Sequence, residues 1–252
     1  MQRSFWLAAA VVTLAAGAAG AQTTKNTTPA PTAPPRAPAP SLPPVRPDGK
    51  LVTPYHRSFR MVMSRNGKEQ DVGGLDDQVT IGEHNGKPAI IRVQNVEGPT
   101  GVMTDTAVAD AATLTPRWHS STSERRRLRL EFAPGRVTGN FRESGDAGFP
   151  IDQKFTDSLY DSNMLDVVLA ALPLASGYRG HMTVYLYEAG GPTPVDVEVT
   201  GSDKVNGKET WITGVTIGGR TARYYLDKTT HQVAQIVSTP GPGMEIRIVP
   251  RD

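Results

Sequence analysis

The chain has 252 residues, of which 38% are apolar, 21% charged and 6% aromatic, with 25 Gly, 21 Pro and no Cys. That is enough apolar residue for a core without disulfides, and it suits neither a collagen nor a bundle of membrane helices. Lys plus Arg number 27 against 25 Asp plus Glu, too even a balance for a protein that binds nucleic acid by neutralising phosphates. The lack of Cys excludes thiol catalysis, Cys-ligated zinc or iron–sulfur sites, and a lipid-anchored cysteine at a mature N-terminus.

Residues 1–21 have the layout of a secretory signal peptide. Arg3 gives a positive start, Phe5 to Ala15 an apolar run, and Ala19-Gly20-Ala21 a small-residue cleavage site before Gln22. The apolar run is about eleven residues long where spanning a bilayer needs roughly 20, so the segment reads as a cleaved leader and not as an anchor. A periplasmic or secreted bacterial protein is the expectation. From Gln22 to Lys50 nine prolines alternate with Ala, Thr and Ser. Proline lacks an N–H donor and holds φ near the polyproline II value, so this stretch predicts an extended linker ahead of a single β-rich domain over 51–252.

Beyond the linker the pattern has a period of two. Leu128, Leu130 and Phe132 alternate with Arg127, Arg129 and Glu131, and Val195, Val197 and Val199 with Asp196, Glu198 and Thr200. Such alternation marks half-buried strands. Less regular runs lie at Arg57 to Ser64, Gln78 to Glu83, Pro88 to Gln94, Arg136 to Arg142, His181 to Tyr187, Thr210 to Ile217, Thr221 to Asp227, Gln232 to Ser238 and Met244 to Val249. With Gly, Asn or Asp between most of them, the prediction is a mainly β fold: an antiparallel curved sheet or half-open β-barrel of about ten strands. One segment differs. Leu165, Val168, Leu169 and Leu172 fall at i, i+3, i+4 and i+7, Asp161 or Ser162 can cap the start, and Pro173 stops propagation. This amphipathic helix is wide enough in its apolar stripe to pack on or in the curved sheet.

The run from Asp161 through Leu172-Pro173-Leu174, then Gly177, the strand His181 to Tyr187 and the stretch Val195 to Gly201, resembles the bacterial envelope family known as domain of unknown function 3108. In that family a helix ending in Leu-Pro-Leu and a glycine precedes a strand meander. Arg223 to Val233 is similar to its penultimate hairpin, although the aromatic-Leu-Ser-Asp pattern expected there is altered. The likeness runs over roughly 157–250. It implies a half-open β-barrel resembling periplasmic lipoprotein carriers, and it brings no catalytic residues.

Catalytic chemistry finds little support in the sequence. His56, His84, His119, His181 and His231 are widely spaced, with no H-E-x-x-H or H-x-H pair to mark a metal site. Ser120, Ser121 and Ser123 lie near His119 without a G-x-S-x-G elbow, and read as polar loop residues. Gly73-Gly74, Gly190-Gly191 and Gly218-Gly219 have no helix behind them and read as hairpin turns, not phosphate cradles. Arg125-Arg126-Arg127-Leu128-Arg129 could meet anionic headgroups, but Arg127 and Arg129 are equally the solvent face of a strand whose other face is Leu128 and Leu130. No catalytic, cofactor-binding or metal-binding residue and no cofactor is assigned.

The expected function is a non-catalytic binding module holding an apolar or lipid-like ligand between sheet and helix. Leu165, Val168, Leu169 and Leu172 of the helix and Val184 and Leu186 of the next strand are the cavity candidates. The alternative is an envelope structural or interaction protein with a fully packed barrel and a protein partner. A hydrolase, the third class, lacks a visible nucleophile–base pair.

Overall fold

The structure is a computed structural model that describes residues 42–143, 145 and 147–251. The expected signal peptide at 1–21 and most of the proline-rich stretch from Gln22 to Lys50 lie outside those residues. Fifteen strands follow one another: β1 (Tyr55–Arg65), β2 (Lys68–His84), β3 (Lys87–Gly98), β4 (Gly101–Asp110), β5 (Pro116–Thr122), β6 (Arg126–Ala133), β7 (Arg136–Glu143), β8 (Phe149–Lys154) and β9 (Leu159–Asp161). After a 3₁₀ turn, Ser162–Met164, and the helix α1 (Leu165–Ala170) come β10 (Arg179–Leu186), β11 (Gly191–Val205), β12 (Lys208–Ile217), β13 (Arg220–Asp227), β14 (Val233–Gly241) and β15 (Met244–Pro250).

All fifteen belong to one sheet, ordered β8-β7-β6-β5-β4-β3-β2-β1-β15-β14-β13-β12-β11-β10-β9. Two antiparallel meanders are thus joined where β1 pairs with β15, and among the fifteen strands of the described residues β9 and β10 are the one parallel pair. β8 and β9, at opposite ends of the order, are not hydrogen-bonded to each other, yet the chain passes from one to the other through 155–158 alone. So short a connection spans at most about 18 Å, which forces the sheet to curl until its ends approach. The inner faces meet accordingly. Leu128, Leu130, Val137 and Ile151 of β6 to β8 form one apolar cluster with Leu159 and Tyr185 of β9 and β10. Phe132 meets Tyr185 edge-on at 5.8 Å.

The helix lies inside this curl. Asp161 caps the preceding turn by accepting from the Asn163 N–H at 3.0 Å, as its position in the sequence predicts. α1 is only six residues long, shorter than the run from Asp161 to Pro173, because its first turn is 3₁₀ and Ala171 already leaves helical geometry. Val167, Val168, Leu169 and Leu172 are buried with Val184, Val195, Val197 and Val215 from the facing strands.

Eleven strands coincide with the alternating runs, and four do not: β4, β5, β8 and β9 raise the number above the expected ten or so. The inward positions of β4 and β5 carry Asp105, Ala107, Ala109, His119 and Ser121, polar or small residues that erase the contrast between faces. β8 contains Pro150 and β9 has three residues, too little for a period. The Gly73-Gly74 pair is not a turn. It lies within β2 opposite Met61, next to a bulge, and a Cβ on Gly73 would stand 2.0 Å from the Glu97 carbonyl oxygen. Gly218-Gly219 does form the β12–β13 turn, both with positive φ.

The domain also starts earlier than residue 51. Val45 is buried; its N–H donates to the His181 carbonyl and the His181 N–H to the Pro43 carbonyl, each at 2.8 Å. The segment 43–45 thereby runs beside the start of β10, which β9 does not reach. Gly49 then passes so close to Ala111 that a Cβ would sit 1.8 Å from its carbonyl oxygen. A chain beginning at Leu51 is therefore expected to lose about 2 kcal/mol or more relative to one beginning at Leu42, the worth of a buried valine and its strand hydrogen bonds. Urea denaturation of the two compares them directly. Equal midpoints would place 42–50 outside the fold.

Candidate functional site

A cavity of about 90 Å³ lies between the start of the helix and the concave face of the sheet. Its apolar wall comes from distant parts of the chain, including Met61, Val96, Met103, Ile236 and Ile248. Its polar wall is built by register. One row across the sheet reads Val79, Arg92, Ala107, His119, Leu130 on β2 to β6, so that Arg92 and His119 project inward on either side of a small residue. The turn Ser162–Met164 that leads into the helix packs against β4.

Arg92 is 2% exposed and uses all five of its N–H groups. Nε and Nη2 donate to the Asp77 carboxylate at 2.8 and 2.9 Å, while Nη1 and Nη2 grip both oxygens of Asp166 and Nη1 also reaches the Asn163 carbonyl. Tyr55 donates its hydroxyl to Asp77 at 2.9 Å. The guanidinium thus ties the helix to β2 and β3, with two carboxylates on one cation. Burial holds the Asp166 carboxyl above the usual carboxylate range even though Arg92 pulls it down. Burial likewise pushes the nearby Tyr224 phenol well up.

His119 forms a second buried group. Nδ1 is 3.1 Å from Asp161 and Nε2 3.7 Å from Asp105, although neither contact is aligned as a hydrogen bond. Burial works against the charged ring, but Asp161 and then Asp105 override it and raise the pKa to about 10. A folded pKa above the unfolded value near 6.5 means that the stabilisation is complete below about pH 6 and is lost as pH rises to 10. Asp166, raised in the fold, acts in the same direction at lower pH. The urea midpoint should therefore fall between pH 7 and pH 10, and His119→Gln should flatten that fall. An unchanged slope in the variant would assign the loss to other groups.

At the edge of the cavity Arg126 pairs with Glu188 at 2.8 Å, its guanidinium 5.1 Å over the Tyr187 ring. The pleat therefore splits the arginine run: Arg126 faces inward with Leu128 and Leu130, and Arg127 and Arg129 face solvent. This pair, His119–Asp161, and a hydrogen bond from Gln153 to the Gly190 carbonyl are side-chain links across the line where the two ends of the sheet meet.

Of the sequence-derived cavity candidates, Leu165 lines the central cavity. Val168, Leu169, Leu172 and Val184 are fully enclosed in the core, and Leu186 borders a smaller space of about 70 Å³ near Val215 and Ala222. The charged network of Asp77, Arg92, Asp105, Asp161 and Asp166, of which Arg92, Asp105 and Asp166 line the cavity, was not apparent from spacing. Its one trace in the sequence is the polar residue standing where strand alternation asks for an apolar one. Ser121 is buried on β5 without a hydrogen-bond partner and is not among the cavity's lining residues. Among the described residues no three His, Asp or Glu side chains are placed to hold a metal ion.

Fold and site together define a mainly β protein, one open sheet curled round a short helix with a charged cavity at the helix start. A family model described as "Protein of unknown function (DUF3108)" matches residues 58–245, and the chain belongs to that family. The match extends from β1 into β15, well beyond the likeness over 157–250 read from the sequence. No curated protein matches the chain significantly.

Proposed function

We propose that the protein is an exported, non-catalytic binding module of the bacterial cell envelope, a half-open barrel holding an amphipathic ligand between sheet and helix. The observation that carries this reading is the central cavity itself: strand residues such as Met61, Val96, Met103 and Ile248 give it an apolar side, and polar groups converge on it from the strands and from the helix start. At about 90 Å³ it is smaller than the roughly 150 Å³ of an engineered cavity that admits benzene. A chain of several carbons therefore enters only if the sheet ends part. Parting them breaks side-chain links but no hydrogen bonds between β8 and β9, which supports the seam as the entrance. Native mass spectrometry and solvent extraction of the purified protein test the reading. Copurifying lipid or retention of a fluorescent fatty-chain probe is expected, and a protein free of both would refute it.

The full enclosure of Val168, Leu169, Leu172 and Val184 favours the second reading, an envelope interaction protein with a packed interior. Export rests on the leader at 1–21, and the exported chain is expected to have the mass of one beginning at Gln22. Recovery of the intact chain from the periplasm would remove that support.

A further inference from the structure

The face of the sheet turned away from the helix carries a second cavity, of about 210 Å³. Arg60 and Val62 of β1, Gln235 of β14, Arg247 and Val249 of β15, and Asn206 at the tip of the β11–β12 hairpin line it. The pleat fixes the direction: Phe59 and Met61 belong to the core beneath the helix, so Arg60 and Val62 point outward, paired with Val249 and Arg247. Val62 is nonetheless only 6% exposed, so this part of the outer face is a recess and not a flat surface. We infer that the recess binds the phosphate group of a phosphate monoester, gripped by Arg60 and Arg247 and by the side-chain amides of Gln235 and Asn206.

Two guanidiniums and no carboxylate line this space. Among the described residues the side chains of Arg60, Gln235 and Asn206 have no hydrogen-bond or ion-pair partner. Arg247 is held on one side only: Nη2 donates to Glu69, while Nε is buried without a hydrogen bond, 3.7 Å from Glu245. Glu245 also has Arg223 at 3.9 Å, so the surroundings hold three guanidiniums to two carboxylates, and Arg60 is the surplus cation. A phosphate monoester near pH 7 carries a charge of about −1.5 to −2 and three acceptor oxygens, and the guanidinium fork matches its geometry. Amide NH₂ groups supply further donors. Val62 and Val249 give an apolar floor for the first carbons of the ester. This site is separate from the central cavity and stands whether or not that cavity holds a ligand.

The test is titration calorimetry of the full exported chain with glycerol 3-phosphate and with inorganic phosphate in low-salt buffer at neutral pH. Arg60→Gln is compared with Arg127→Gln, which removes the same charge from an exposed arginine on the solvent face of β6. Glycerol 3-phosphate is expected to bind the parent, about tenfold more weakly to Arg60→Gln, and within about twofold of the parent to Arg127→Gln. The urea midpoint of Arg60→Gln should equal the parent's, since no partner is lost. Gln235→Ala, which keeps every charge, should weaken binding about threefold and decides the matter if Arg60→Gln does not fold. Vesicles of phosphatidylcholine with and without phosphatidic acid separate the two sources of the phosphate. Cosedimentation with the acidic vesicles that Arg60→Gln abolishes supports the site with a lipid headgroup in it; binding of glycerol 3-phosphate without cosedimentation supports it with a soluble ester. Tighter binding of inorganic phosphate than of the ester overturns the monoester assignment. No binding of either compound, equal weakening by Arg60→Gln and Arg127→Gln, or weakening by neither overturns the inference and leaves the binding module of the central cavity untouched.

Discussion

Replacing Arg92 by Met should cost about 3–5 kcal/mol, the penalty of leaving buried carboxylates without their cation. Asp77 is 3% exposed and, among the described residues, Asp166 pairs with no other cation, so the variant would draw water into the core around two carboxyl groups. The larger part of the loss is therefore desolvation and not the missing contacts themselves. A combined variant separates the two. Arg92→Met with Asp77→Leu, Asp166→Leu and Tyr55→Phe removes the whole polar group, and its stability should return to within about 2 kcal/mol of the parent or exceed it. Asp166→Asn alone should be milder than Arg92→Met, since that carboxyl is already biased toward its neutral form. Urea denaturation with a constant slope reads all three. A loss under about 1 kcal/mol for Arg92→Met would mean that solvent reaches the network freely.

That network also explains what the sequence conceals. Alternation exposes a strand when one face is apolar and the other polar, as in β6, where Leu128 and Leu130 point inward between exposed Arg127 and Arg129. β4 and β5 fail the criterion because Asp105, His119 and Ser121 point inward, so two of the strands that alternation does not mark carry part of the charged group, while Arg92 stands on β3, which it does mark. The helix was legible because Leu165, Val168, Leu169 and Leu172 keep helical spacing and Asp161 caps the 3₁₀ turn that leads into it. Its role as a plug was legible only in part: the width of the apolar stripe predicts burial, but nothing local shows that Asp166, on the same helix, binds an arginine 74 residues earlier. Long-range pairing of this kind is fixed by register between strands, and register is set by the whole meander. The early start of the domain escaped for a similar reason. A proline-rich composition describes the backbone's preference, and Val45 finds its burial only against the start of β10.

Truncating the helix leucines distinguishes a ligand-holding interior from a packed one. Leu169 and Leu172 are wholly enclosed, so Leu169→Ala and Leu172→Ala should each cost about 2–5 kcal/mol, the lost transfer energy being joined by that of a new cavity. Leu165 differs because it already borders the space of about 90 Å³. Its truncation enlarges an existing cavity with polar groups on its wall, where water or ligand can occupy the added volume, so Leu165→Ala should fall at or below the lower end of that range. Retention of a fluorescent fatty-chain probe should change in Leu165→Ala and stay near the parental level in Leu169→Ala, provided the latter is measured where it remains folded. This ordering follows from position alone, since all three substitutions remove the same atoms. If all three destabilise strongly and neither parent nor variant retains any apolar probe, the interior is a packed core and holds no ligand.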